Sequence, residues 1–316
     1  MSSKEKYRDF CKKQESMPIF LQDWWLDAVC EDNWEVILYE ENNNIIASFV
    51  YHINKKYGFK AIMPPQLTPI SGIWIKYSEN INLISKYSYE EKLNEYFAKE
   101  IDKLKLDYFY LHFHHKYKNY IALYWNGFKQ TTRYTYRLTT LDDLDFTFKN
   151  FHPKLKKSIR KAQETLSIIE DISVEDFYKV NALTFRRQGI KVPYSLELVS
   201  RIIESSRKHN AINLMAAIDK EGIIHAVLLT LFDKNTCYSL ISGANPEYRD
   251  SGATSLLNWR ALEVANSRGI YEFDFTGSML RPIEKYMRHF SSEQTPYFAI
   301  EKNYSWIYSL LRKIRK

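Results

Sequence analysis

Cysteine is scarce in this chain. Cys11, Cys30 and Cys237 are few, odd in number and far apart. They offer neither a disulfide framework nor metal-ligand spacing, and they fit a reducing compartment. Long apolar runs are also missing: none approaches the roughly 18 residues that cross a bilayer. The opening residues, MSSKEKYRDFCKK, are charged and lack the apolar core of a signal peptide. No recognised nucleic-acid motif is present, and the basic residues cluster on one short stretch. His112, His114 and His115 stand close together. On a strand, however, His112 and His114 share a face that His115 does not, and no carboxylate or cysteine lies within ligand spacing. The expectation is a cytoplasmic globular chain with no metal and no tightly bound cofactor.

What is present narrows the reading further. Of 316 residues, 45% are hydrophobic, enough for a substantial core. Aromatics reach 16%, with 24 tyrosines and 18 phenylalanines, which points to aromatic-lined grooves as well as aromatic cores. The formal net charge of +7 favours an anionic partner: a phosphorylated small molecule, nucleic acid or anionic lipid.

Taken in order, Pro18–Cys30 reads as an amphipathic helix. Glu35–Glu40, Ile45–Ile53 and Phe59–Met63 read as strands, and Pro64–Gly72 (PPQLTPISG) as an irregular loop. A helix over about Tyr89–Leu104 and a strand Asp107–Phe113 follow. The order recurs later. Ser195–His209 is helical, Asn213–Ile218, Ile223–Phe232 and Thr236–Ser242 form a meander, and helix Gly252–Ser267 and strand Ile270–Phe275 complete it. Each half thus reads helix, three strands, helix, strand. The expected division is 1–140 and 141–316, with Leu141–Phe151 as the connection.

The stretch Asn235–Ser278 organises the second half. Asn245-Pro246 breaks its first strand. Gly252 opens a helix with the apolar stripe Ala253, Leu256, Leu257, Ala261, Val264 and Ala265, the spacing of a helix laid on a sheet. Arg268-Gly269 closes it. Tyr271, Phe273 and Phe275 share one face of the next strand, and Asp274 projects from the other. Such a loop-to-helix junction leaves backbone N–H groups unpaired, which suits a phosphate or an oxyanion. In Phe151–Glu164, Lys154, Lys157 and Lys161 fall on one helical face, flanked by Lys156 and Arg160. That face fits either a solvated surface or a phosphate clamp.

Together, KKSIRKAQ, the SGANPEYRDSGATSLL stretch with DFTGSM after its helix, and IEKYMRHF resemble the GNAT acyltransferases. More specifically they resemble the branch related to the Fem peptidoglycan aminoacyltransferases and to acetyltransferases of polysaccharide synthesis in bacteria. The resemblance is strongest over Phe151–Ala299. It implies an α+β fold of tandem GNAT-like domains, each a mixed central sheet flanked by helices, facing each other across a groove. It implies transfer of an acyl group, acetyl in the first instance, from acyl-CoA to an amine or hydroxyl of a glycan, sugar-nucleotide or cell-envelope precursor. Fem enzymes that use aminoacyl-tRNA carry a long antiparallel helical arm, whereas Val192–Asn213 has room for one helix. Aminoacyl-tRNA is therefore the alternative donor. A non-catalytic phospho-glycan binding module of the same fold is a further reading.

The residues needed for acyl transfer can be assigned on this resemblance. Ser242, Gly243, Arg249, Ser251, Gly252, Ala253 and Thr254 would hold the donor. Asp274 would be the general base or substrate orienter, and it equally fits a turn cap. Tyr248 and Tyr286 would be acids for the leaving group. Lys154, Lys157, Arg160, Lys161, Arg187, Lys285 and Arg288 would bind substrate. The C-terminal WIYSLLRKIRK, Trp306–Lys316, reads as a basic amphipathic helix. It is expected to pack on the second domain, with an anionic membrane surface at the inner face as the other reading.

Overall fold

The computed structural model describes residues 1–14, 16–277 and 279–314. Ser278 of the DFTGS run, and Arg315 and Lys316 of the C-terminal stretch, lie outside the described residues. The chain forms two compact units. Unit 1 is Met1–Arg133 with Pro296–Lys316, and unit 2 is Tyr134–Thr295.

The chain opens with α1 (Ser3–Cys11), which sequence reading missed although Ser2 and Glu5 form a capping box at its start. The expected helix over Pro18–Cys30 is a single 3₁₀ turn, Ile19–Leu21, followed by α2 (Asp23–Cys30). Next come β1 (Glu35–Glu41), β2 (Asn44–Tyr51), β3 (Ile53–Lys56), β4 (Phe59–Ile62) and β5 (Ile73–Ile75). The expected strand Ile45–Ile53 is broken at His52, whose Nδ1 lies 2.5 Å from the Asn33 carbonyl oxygen. That break lets β2 pair with β1 and β3 pair with β4, in different sheets. α3 (Leu83–Lys103), β6 (Tyr108–His112), α4 (Ile121–Trp125) and β7 (Lys129–Leu138) follow.

Unit 2 continues with α5 (Leu144–Asn150), α6 (Pro153–Thr165), β8 (Ser167–Glu170), α7 (Val174–Arg187) and α8 (Leu196–Lys208). The meander is β9 (Ile212–Ile218), β10 (Ile224–Phe232) and β11 (Thr236–Ala244); α9 (Ala253–Ser267), β12 (Glu272–Asp274) and α10 (Arg281–Arg288) close the unit. β13 (Glu293–Asn303) and α11 (Trp306–Ile314) end the chain.

In unit 1, one sheet runs β1-β2-β5 and another includes β3-β4-β6-β13. Phe49, Phe97, Phe109, Leu111 and Phe113 fill the core beneath α3. Each such side chain contributes on the order of 2–3 kcal/mol by leaving water. The division expected at 140/141 differs at both ends. β7 carries the chain into unit 2 earlier, and the antiparallel pairing of β13 with β6, Ala299 opposite His112, ties Pro296–Lys316 to unit 1. α11 accordingly packs in unit 1, with Tyr308 against Phe59 and Tyr108, and not on the second unit as expected. The expected connection Leu141–Phe151 is instead α5, part of unit 2 and N-capped by Asp143, which accepts from Phe146 N at 2.8 Å.

In unit 2 the sheet order is β7-β12-β11-β10-β9-β8. All its pairings are antiparallel except β11–β12, which is parallel and therefore needs a crossover, supplied by α9. The α9 stripe packs as its spacing predicts: Ala253, Leu256, Leu257, Ala261 and Ala265 are buried in the unit's core, with Val264 against it. Phe273 and Phe275 join that core, but Tyr271 precedes the strand and is exposed. The fold is the mixed, sheet-and-helix class expected.

Candidate active site

Two strands that begin side by side and then part create the site. β11 pairs with β12 only over Thr236–Tyr238, opposite Glu272–Asp274. Beyond Asp274 the chain turns through Thr276 and Gly277, both at positive φ. Thr276 Oγ1 donates to the Ser239 carbonyl at 2.8 Å, which caps the point of divergence. On its other side, β11 shifts register against β10: Leu229 faces Ile241 and Thr230 faces Ser239, so Leu240 is a bulge.

Past that bulge, strand alternation turns the backbone groups of Ser242 and Ala244 away from β10, since Asn245 N reaches the His225 carbonyl on the β10 side. α7 covers part of this edge. Asn181 Nδ2 donates to the Ser242 carbonyl at 2.9 Å, and Ala244 N donates to Thr184 Oγ1 at 3.1 Å. Tyr194 holds Asn181 in place, its hydroxyl donating to Oδ1 at 2.8 Å. Gly243 is where α7 presses closest: a Cβ there would stand 2.5 Å from Asn181 Cα.

The loop after β11 is a 3₁₀ segment, Pro246–Ser251, started by Asn245, whose Oδ1 accepts from Glu247 N. Tyr248 stacks on His225 with ring centroids 4.1 Å apart, and His225 Nε2 is 3.0 Å from Asp219 Oδ2. The tyrosine thus anchors the loop through its ring. Gly252, at φ +81, ends the loop and N-caps α9 without any side-chain cap. Ala253 N donates to Ser251 Oγ at 3.3 Å. The following first-turn N–H groups have no intrahelical acceptor, and the helix dipole adds partial positive charge there.

α6 lies directly against this junction. Pro153 at its first turn and His152 as N-cap start the helix, and Leu155, Ile159 and Ala162 bury its apolar face. Ser158 touches Gly252, and Lys161 Nζ reaches the Asp250 carbonyl at 3.3 Å. The basic residues divide between two directions. Lys156 bonds the Lys149 carbonyl and Arg160 lies 5.7 Å over the Phe148 ring, so these two turn towards α5. Arg160, expected among the substrate-binding residues, is exposed on the flank of the lysine face. Lys154, Lys157 and Lys161 remain exposed.

α10 approaches from the other side. The Tyr286 hydroxyl lies 3.3 Å from Asn258 Nδ2 and near Ser255, both on α9. Burial pushes this phenol up to about 12, so it stays protonated at neutral pH. His289 stacks on His152 at 4.4 Å, and burial, His152, Lys285, Arg288 and Lys154 together hold it below its ordinary value. Lys154, Lys285 and Arg288 therefore share one basic patch. Arg249 is exposed in its loop, and Arg187 is exposed at the end of α7.

Asp274 is the last paired residue of β12 and is 3% exposed. Its Oδ1 accepts from Thr135 Oγ1 at 2.5 Å and from Thr276 N at 2.7 Å. Burial pushes the carboxyl up to about 6, against the opposing pull of those two donors. It caps the turn and also titrates close to neutrality. Thr135, Asn181 and Thr184 escaped sequence reading, because each meets its partner across a long separation and none lies in a motif; Ser158 and Thr276 stand inside KKSIRKAQ and DFTGSM without having been singled out.

A splayed parallel strand pair, a bulge and a glycine-capped helix define a GNAT core. Residues 149–287 match the model of the acetyltransferase (GNAT) domain family. Solved structures extend the likeness to the whole chain. The FemX crystal structure aligns with TM-score 0.68 and 13% identity over 100% of this chain and 99% of its own. The C-terminal domain of a putative lysylphosphatidylglycerol synthetase from Agrobacterium fabrum aligns at 0.56 and 12%, over 95% and 91%. A tandem GNAT protein from the clavulanic acid biosynthesis pathway aligns at 0.55 and 9%, over 95% and 94%. The fold is therefore the tandem GNAT type. Comparison with curated proteins gives no match. Among the described residues no group of three or more His, Cys, Asp or Glu is arranged to hold a metal.

Proposed function

We propose that unit 2 transfers an acyl group from acyl-CoA to an amine or hydroxyl of a glycan, sugar-nucleotide or other cell-envelope precursor. The observation that carries this reading is the parting of β11 from β12 beside a helix N-terminus lined by α6. The donor's phosphates lie at Gly252–Thr254 with Lys161 and Lys154 beside them. Its carbonyl lies at the parted edge, where Ser242 N–H faces outward and stabilises the oxyanion. Asp274 takes the proton from the attacking amine or hydroxyl, and Tyr286 returns one to the leaving thiolate. The likeness to FemX and to a lysylphosphatidylglycerol synthetase domain supports an envelope acceptor.

One observation favours a different donor, aminoacyl-tRNA. Asn181 and Thr184 already occupy the Ser242 carbonyl and Ala244 N–H, the groups an extended amide chain would pair with along β11. Calorimetric titration with acetyl-CoA, beside transfer assays with charged tRNA, separates the two. Tight binding of acetyl-CoA supports the first reading. Failure to bind any CoA species, with aminoacyl transfer to an envelope precursor, moves the assignment to the second.

The outer face of α11 completes the proposal as a weak contact with an anionic membrane surface, where a lipid-linked acceptor would lie.

A further inference from the structure

Unit 1 holds a guanidinium that no carboxylate answers. Arg133 is half-buried on β7 and forms no ion pair among the described residues. The phenols of Tyr297 and Tyr110 lie close enough to act on its guanidinium and hold it above its ordinary value, while its Nε is enclosed and has no hydrogen-bond partner. The Tyr110 hydroxyl lies 3.0 Å from His112 Nε2. The His112 ring stands edge-on to Tyr297, with centroids 5.8 Å apart. Along β6, Tyr110 and His112 alternate with Phe109, Leu111 and Phe113, so they occupy the face opposite the aromatic core. All four residues belong to unit 1.

The contrast with other arginines is informative. Buried Arg137 pairs with Glu272, and partly buried Arg8 pairs with Asp27 and Asp23. A charge withdrawn from water without a counterion is costly, and two phenol dipoles compensate only part of it. His112 adds no charge of its own, because burial and then Arg133 push it down to about 4. In the tautomer with its proton on Nδ1, the neutral ring accepts from the Tyr110 hydroxyl at Nε2, and the phenol oxygen keeps its lone pairs for the guanidinium. The cluster therefore carries one positive charge, a planar fork of N–H donors and a second phenol. That is the complement of a planar monoanion with two oxygens. A phosphate dianion would find a single cation here.

We propose that Arg133, Tyr110, Tyr297 and His112 form a binding site in unit 1 for the carboxylate of a small molecule. The site stands whether or not unit 2 acts on acyl-CoA.

The test is fluorine NMR of the full chain with para-fluorobenzoate, and para-fluorobenzamide as the neutral control. The expected result is broadening of the benzoate signal, no effect on the amide, and competition by acetate. Arg133→Gln weakens binding at least about tenfold, and Tyr110→Phe weakens it several-fold. Circular dichroism checks the variants. If Arg133→Gln does not fold, the double variant Tyr110→Phe with Tyr297→Phe carries the same comparison. The proposal is overturned by undiminished binding to the folded variant, by equal binding of the amide, by stronger competition from inorganic phosphate than from acetate, or by no broadening at millimolar benzoate.

Discussion

A Cβ on Gly252 would stand 2.5 Å from the Ser158 carbonyl oxygen and 2.8 Å from its hydroxyl. The residue also sits at φ +81, in the left-handed region. Two independent demands thus converge on glycine at the seam between the basic helix and the α9 N-terminus. Gly252→Ala is expected to destabilise the protein by about 2–4 kcal/mol, from αL strain plus the clash. Urea unfolding measures it. A loss below about 0.5 kcal/mol would mean that α6 shifts freely and that its lysines are not held at the junction.

Asp274 makes a pH-dependent prediction whose sign is fixed by its environment. Its folded-state carboxyl titrates at about 6 against an ordinary 3.8. The native state therefore binds this proton more tightly than the unfolded chain. The associated stability is fully present below pH 3.8 and is lost as pH rises through about 6. The swing is on the order of 3 kcal/mol. Asp274→Asn should flatten that part of the stability-versus-pH curve. If Asp274 is the base, kcat/KM climbs with pH through the same region, and the asparagine variant loses the climb along with about 10²–10⁴ in rate. A profile that keeps its acid limb in the variant would reduce Asp274 to a turn cap.

The α9 stripe, the meander and the α6 apolar face were legible in the sequence because each is a local period. The split of β2 from β3 was not, because a contact with Asn33, far earlier in the chain, breaks the strand at His52. The same limit applies at the site. Gly252 and Asp274 sit in short runs that announce a turn. Asn181 and Thr184, which close the edge of β11, look like any polar residues on a helix until α7 is laid across Gly243. Arg160 shows the same limit: helical spacing puts it on the flank of the lysine face but does not show the Phe148 ring beside it.

Lys154 and Lys161 test the anion site by charge. Both are exposed, so screening limits what each contributes. Reversing both, Lys154→Glu with Lys161→Glu, is expected to weaken donor binding about tenfold or more at low salt. The deficit should shrink as ionic strength rises. Calorimetry at two salt concentrations gives both numbers. A deficit that ignores salt would indicate a structural fault in α6 and not a lost phosphate contact.

α11 packs through one face within unit 1 and leaves an apolar face exposed. Tyr308 and Arg312 face inward onto Tyr108. Trp306, Ile307, Leu310 and Leu311 face outward, with Trp306 77% and Leu310 52% exposed. The sequence around them supplies Arg312, Lys313, Arg315 and Lys316. An apolar stripe with basic neighbours binds an anionic interface by burying the stripe and screening the headgroups. No helix among the described residues is long and apolar enough to cross a membrane, so contact would be peripheral. The protein is expected to sediment with phosphatidylglycerol vesicles, less with phosphatidylcholine vesicles, and less again as salt rises. Trp306→Glu with Leu310→Glu should abolish the effect while leaving the thermal midpoint nearly unchanged, because neither side chain is buried. Undiminished sedimentation of that variant would place any membrane contact elsewhere on the molecule.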